Sequence, residues 1–149
     1  DAGESPMSNL DTALQAIPYL QTLGIRTKHA QSGQAVLQLP FQTTNAAHGG
    51  AMHTGTLFTV GELTATIAAA THPGFGFLVQ LLKCSKIKYT QPAFSTITAM
   101  ADVTDAMVSK VKQDLTNGEA SLEIPVSMFD TNHKPVAEMM VLFVFRPNH

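Results

Sequence analysis

The stretch that decides the fold is Thr54-Gly55-Thr56-Leu57-Phe58-Thr59-Val60-Gly61-Glu62-Leu63-Thr64-Ala65-Thr66-Ile67-Ala68-Ala69-Ala70-Thr71, which ends against His72-Pro73-Gly74. It holds no Pro and few polar residues other than Thr. It therefore predicts a helix over 54–71, stopped where Pro73 lacks a donor and Gly74 favours a turn. Between Lys28 and Lys83 the single Asp, Glu, Lys or Arg is Glu62. A helix this apolar is expected to be buried all round. Gly55, Gly61, Ala65, Ala68 and Ala69 leave room for a close neighbour, as a helix wrapped by a curved sheet requires.

Outward from this helix the pattern is that of strands. Ala35, Leu37 and Leu39 alternate with Val36 and Gln38 between Ile25 and Phe41, and Ser32-Gly33 supplies the turn of a hairpin. Beyond the helix come β-rich runs at Phe75 to Tyr89, Ser95 to Thr104, Ala120 to Phe129 and Val136 to Arg146. Helical spacing from Ala106 to Leu115 interrupts them before Asn117-Gly118. Asn9 to Leu23 reads as a short covering helix interrupted at Pro18. The order of hairpin, long helix and meander predicts an α+β fold, an antiparallel curved sheet wrapped around one long central helix. All 149 residues are read as one domain, with Asp1 to Asn9 a flexible tail of partly foreign origin in which Met7 is a candidate start.

Composition narrows the function. A net charge of -2 and no dense Lys/Arg tract leave no electrostatic footprint for nucleic acid or an anionic membrane. The one cysteine, Cys84, has no partner within the chain, which fits a reducing, cytoplasmic setting and predicts a buried strand residue. The first residues lack the basic start and apolar run of an export signal. No metal is expected. His48 and His53 stand five apart without an acidic ligand beside them, whereas zinc sites take three or four well-spaced ligands. Asp130-Thr131-Asn132 reads as a hairpin turn, because the Gly and Glu of a calcium loop are missing.

Glu62 asks for an explanation, since a carboxylate among apolar side chains is costly unless paired, hydrogen-bonded or protonated. The plainer reading is that it accepts bonds from nearby backbone or Thr hydroxyls. The functional reading is an acid-base or nucleophilic group, because such carboxylates cluster at sites. Gly55 lies in the first turn, where N–H groups lack intrahelical acceptors and suit an oxyanion. Seven residues at 1.5 Å each put it about 10 Å from Glu62 along the axis. One reacting carbonyl cannot touch both in one chain. If the two act together, they come from two antiparallel helices across a homodimer axis.

Asn45, and then His53-Thr54-Gly55-Thr56-Leu57-Phe58-Thr59-Val60-Gly61-Glu62, resemble the signature of hotdog-fold acyl-CoA thioesterases of the phenylacetyl-CoA thioesterase type. That family places an Asp or Glu nine residues after the His, the spacing from His53 to Glu62. Lys86-Ile87-Lys88-Tyr89-Thr90-Gln91-Pro92-Ala93 resembles its strand leading to a Pro-Ala turn. His48-Gly49-Gly50 imitates the motif more literally, but nine residues after His48 stands Leu57, which cannot do acid-base work. The resemblance implies a hotdog fold and hydrolysis of acyl-CoA or acyl-carrier thioesters, with coenzyme A only as part of the substrate and no separate cofactor. It also implies a homodimer or a dimer of dimers. Glu62 is then nucleophile or general base, Gly55 N–H polarises the carbonyl, and His53 and Asn45 place thioester or water. Thr54 stands at the family's first Gly and borders the substrate.

Other residues admit two readings. Lys86 and Lys88, with Tyr89 beside them, suit the phosphates of a CoA nucleotide, or else they are a solvated strand edge blunted by lysines. Met100, Met107, Met128, Met139 and Met140 suit an adaptable acyl pocket, although core filling is the ordinary role. His29, His72, His133 and His149 read as ordinary polar positions. Two alternatives stay open beside the hydrolase: a hydroxyacyl hydratase or dehydratase using His48 and Glu62, and a non-catalytic acyl-CoA-binding domain. A purely structural dimerisation module is the third, and a lone buried Glu argues against it.

Overall fold

The computed structural model describes residues 6–76 and 78–148. Of the expected tail, residues 1–5 lie outside the described residues, and helix α1 (Pro6–Gln15) already includes the rest. The expected covering helix is two helices, because Pro18 occupies the first turn of α2 (Pro18–Leu23), where its missing N–H costs nothing. Asp11 fastens this cover to the sheet: its carboxylate accepts from Thr27 N–H at 2.8 Å.

The hairpin forms as expected. Strands β1 (Arg26–Gln31) and β2 (Gln34–Leu39) meet at Ser32 and Gly33, both at positive φ (51° and 92°), which suits the twist of a two-residue connection. Ala35, Leu37 and Leu39 are completely buried. Helix α3 spans Thr54–Thr71 and lies across the sheet, packing on residues of all the strands, which is the expected hotdog arrangement. A β-carbon at Gly61 would meet Met139 Sδ at 2.5 Å, so the small residue permits the close approach.

After α3 come β3 (Leu78–Tyr89), β4 (Ile97–Asp102), α4 (Asp105–Asp114), β5 (Ala120–Phe129) and β6 (Pro135–Pro147). The six strands form one antiparallel sheet in the order β1-β2-β4-β5-β6-β3. The expected meander is thus limited to β4-β5-β6. The first strand after the helix, β3, is carried to the far edge, where it pairs with β6 alone. Alternation reports which face of a strand is buried but not which strand lies beside it.

Two expectations about burial are corrected. Cys84 is exposed, because a bulge between Leu82 and Cys84 turns it onto the outer face of an edge strand. Helix α3 is not buried all round. Thr56, Leu57, Val60, Gly61, Thr64, Ala65, Ile67, Ala68 and Ala69 are buried, while Gly55 is exposed and Phe58, Thr59, Glu62, Leu63 and Thr66 are half-buried. Sequence composition cannot reveal this open flank, since Phe58 and Leu63 are apolar and the Thr hydroxyls bond back to their own helix.

Candidate active site

The first turn of α3 is built by His53. Its backbone is extended (φ -62°, ψ 131°), and its carbonyl accepts from Thr56 N–H at 3.0 Å and from the Thr56 hydroxyl at 2.6 Å. Its ring Nδ1 accepts from Gly55 N–H at 2.9 Å, so an imidazole serves as N-cap. His53, Thr54 and Gly55 are all exposed. Gly55 therefore stands at the solvent face as expected of an oxyanion donor, but its N–H already has an acceptor.

Asn45 is only 2% exposed, and both ends of its amide are used within the loop. Oδ1 accepts from Gln42 N–H at 3.1 Å, and Nδ2 donates to the Pro40 carbonyl at 2.9 Å. Its own carbonyl accepts from His53 N–H at 2.7 Å. Asn45 thus holds the start of the helix in position. Beyond it, Ala46 pairs with Met52, and the chain between them turns through Gly49 and Gly50 at positive φ. His48 is exposed in this turn.

Glu62 lies on the open flank of α3. At 100° per residue Gly55, Thr59, Glu62 and Thr66 fall on one stripe. Thr59 donates to the Gly55 carbonyl at 3.0 Å and Thr66 to the Glu62 carbonyl at 2.9 Å. The stripe is therefore polar, with its Thr hydroxyls satisfied within the helix. Among the described residues the Glu62 carboxylate has one side-chain hydrogen-bond partner, the Ser85 hydroxyl, which donates at a long 3.5 Å.

Two residues that sequence reading passes over border this stripe. Tyr19 of α2 places its hydroxyl 2.7 Å from Thr59 Oγ1, midway between Gly55 and Glu62, and Ser85 comes from β3. Neither contact follows from local spacing, since forty residues separate Tyr19 from Thr59. Tyr89 also reaches the helix start, donating to the Thr54 carbonyl at 3.2 Å. Beside it opens a pocket of about 470 Å³, walled by His53, Thr54, Leu57, Tyr89, Pro92 and Ala93 among others. Glu62 does not line that pocket. The site of one chain thus holds an apolar pocket at the helix start and a carboxylate about 10 Å further along.

Lys86 and Lys88 point away from all this. They stand opposite Met140 and Glu138 on the outer face of the sheet, while Ser85 and Tyr89 face the helix. Met100 and Met140 are exposed on that outer face, and Met128 and Met139 belong to the core. Among the described residues no cluster of three or more His, Cys, Asp or Glu suits a metal ion, and no helix is long and apolar enough to cross a membrane.

A family model for a domain of unknown function (DUF4442) matches residues 9–144 of the chain. No curated protein matches. Among solved structures, a Pseudomonas aeruginosa protein described as of unknown function and a probable thioesterase superposes with a TM-score of 0.86. It shares 23% identity, with 95% of this chain and 96% of that one covered. A point variant of the phenylacetic acid degradation protein PaaI from Thermus thermophilus gives a TM-score of 0.66 at 20% identity, covering 87% and 98%. A variant of a thioesterase enzyme from Staphylococcus aureus gives 0.68 at 16%, covering 87% and 99%. At these identities the likeness establishes the hotdog fold.

Proposed function

The chain belongs to the DUF4442 domain family, and from that premise we propose that it hydrolyses acyl-CoA thioesters at a site shared by two copies of itself. The observation that carries the reading is the polar stripe of α3, with a solvent-facing N-terminal Gly55 at one end and the half-buried Glu62 at the other. It is supported by the names of the relatives that share the fold, a probable thioesterase and a thioesterase enzyme.

The separation of about 10 Å between the two groups requires the second copy, and an antiparallel arrangement of two α3 helices brings Gly55 of one against Glu62 of the other. Strand β3 favours such pairing, because its free edge runs for twelve residues and exposes Val79 and Leu82. In the assembled site the thioester carbonyl accepts from Gly55 N–H at the positive end of the helix. Glu62 either attacks the carbonyl carbon, giving an anhydride that water then cleaves to release the acid and restore the carboxylate, or takes a proton from a water that attacks the thioester directly. Either route builds negative charge on the oxygen facing Gly55, and that charge is stabilised there. The thiolate of CoA leaves and takes up a proton.

The test is free-thiol release from short, medium, long and aromatic acyl-CoAs by the wild type and Glu62→Gln. Turnover in the wild type, falling about 10²- to 10⁴-fold in a folded Glu62→Gln variant, is expected of a carboxylate that moves a proton or attacks. Acyl-CoA binding without thiol release by the wild type would replace the hydrolase with a binding domain.

A further inference from the structure

The sequence contains His-x-Gly three times, and two of these, His53-Thr54-Gly55 and His72-Pro73-Gly74, make the same contact. In each, Nδ1 of the histidine accepts from the glycine N–H at 2.9 Å. The rest of their surroundings differ. The His72 ring is buried, with the residue 8% exposed, stands against Phe75, and has its Nε2 tied to Asp105 at 2.8 Å. It is a fixed cap. The His53 ring is exposed, forms one wall of the open pocket at the helix start, and has no hydrogen-bond partner for Nε2 among the described residues. One contact holds it.

Resting on the acyl-CoA reading above, we propose that His53 is a removable stopper on the oxyanion donor: its Nδ1 occupies the position on Gly55 N–H that a substrate carbonyl must take. The ring has room to leave, because the residue is exposed and lines an open pocket. Displacement then exchanges one neutral acceptor for another, so the first cost of binding is the cap itself. The stopper makes His53 a specificity-determining residue. A ligand with a carbonyl at the reacting position regains the hydrogen bond it breaks, whereas CoA carrying no acyl carbonyl leaves the ring in place. It also keeps the first-turn donor satisfied while the site is empty.

The experiment titrates two non-hydrolysable probes into the full-length protein by calorimetry. One is an acyl-CoA analogue with methylene in place of sulfur, which keeps the carbonyl; the other is an S-alkyl-CoA, which lacks it. His53→Ala is expected to bind the ketone probe about two- to tenfold more tightly than the wild type, the fold-change of one net hydrogen bond, and the thioether probe equally. His53→Asn, whose amide oxygen restores an N-cap acceptor, is expected to return the ketone affinity to the wild-type value and guards against unfolding of the alanine variant. His72→Ala is expected to lower Tm by roughly 2–8 °C and leave both affinities unchanged. Weaker ketone binding by His53→Ala would make the ring a direct substrate contact and overturn the stopper. Equal tightening for both probes would overturn it also, as a general effect on the pocket. No binding of either probe to any variant would remove the acyl-CoA reading itself, and the stopper with it.

Discussion

At Gly61, immediately before Glu62, α3 lies close against the sheet: a β-carbon there would meet Met139 Sδ at 2.5 Å and Met128 Cε at 2.9 Å. Both are ends of flexible side chains. Gly61→Ala is therefore expected to be nearly neutral in urea denaturation, with about 1 kcal/mol of helix propensity offsetting the displacement of the methionines. Gly61→Val adds two further carbons where there is no room, and a loss of about 2–3 kcal/mol is expected. A valine variant as stable as the wild type would mean that helix and sheet are further apart than described. At this scale the sequence is informative about residue type and less so about partners. Small residues in an apolar helix announce a close neighbour, and the lone Glu announces a polar site. The buried amide of Asn45 is tied to Gln42 by a capping pattern three residues long, but the anchored ring of His72 depends on Asp105, thirty-three residues away, which no local pattern connects to it.

Among the elements, α3 is legible to its boundaries, because Pro73-Gly74 stops it and its composition is uniform. The strands are legible as strands, and Lys83, Lys86 and Lys88 mark β3 as an edge, the reading that its place in the sheet bears out. Which strand it pairs with is not written in a local stretch. That edge carries the proposed self-association, with Val79 and Leu82 at 37% and 44% exposure. Val79→Lys combined with Leu82→Lys places two charges along it, a means by which edge strands are kept from pairing. The expected result is a folded monomer by light scattering, with thiol release lost because Gly55 and Glu62 no longer meet. A monomer that retained turnover would show that one chain suffices.

In the whole molecule, the fold is established along nearly the entire chain, and the proposed chemistry needs two copies of it. A shared site links activity and stability to assembly, so Tm is expected to rise with protein concentration. A Tm constant over a hundredfold range would indicate that association adds nothing to the folded state. The shared site is tested most directly by subunit complementation. Gly55→Pro removes the donor N–H within the first helical turn, where proline is tolerated, and Glu62→Gln removes the carboxylate. Each variant alone is expected to be inactive. Mixed in equal amounts and exchanged, they form dimers half of which carry one intact site, and thiol release is expected to return to about one quarter of the wild-type rate. No recovery in a mixture whose subunits have demonstrably exchanged would contradict a site built from Gly55 of one chain and Glu62 of the other.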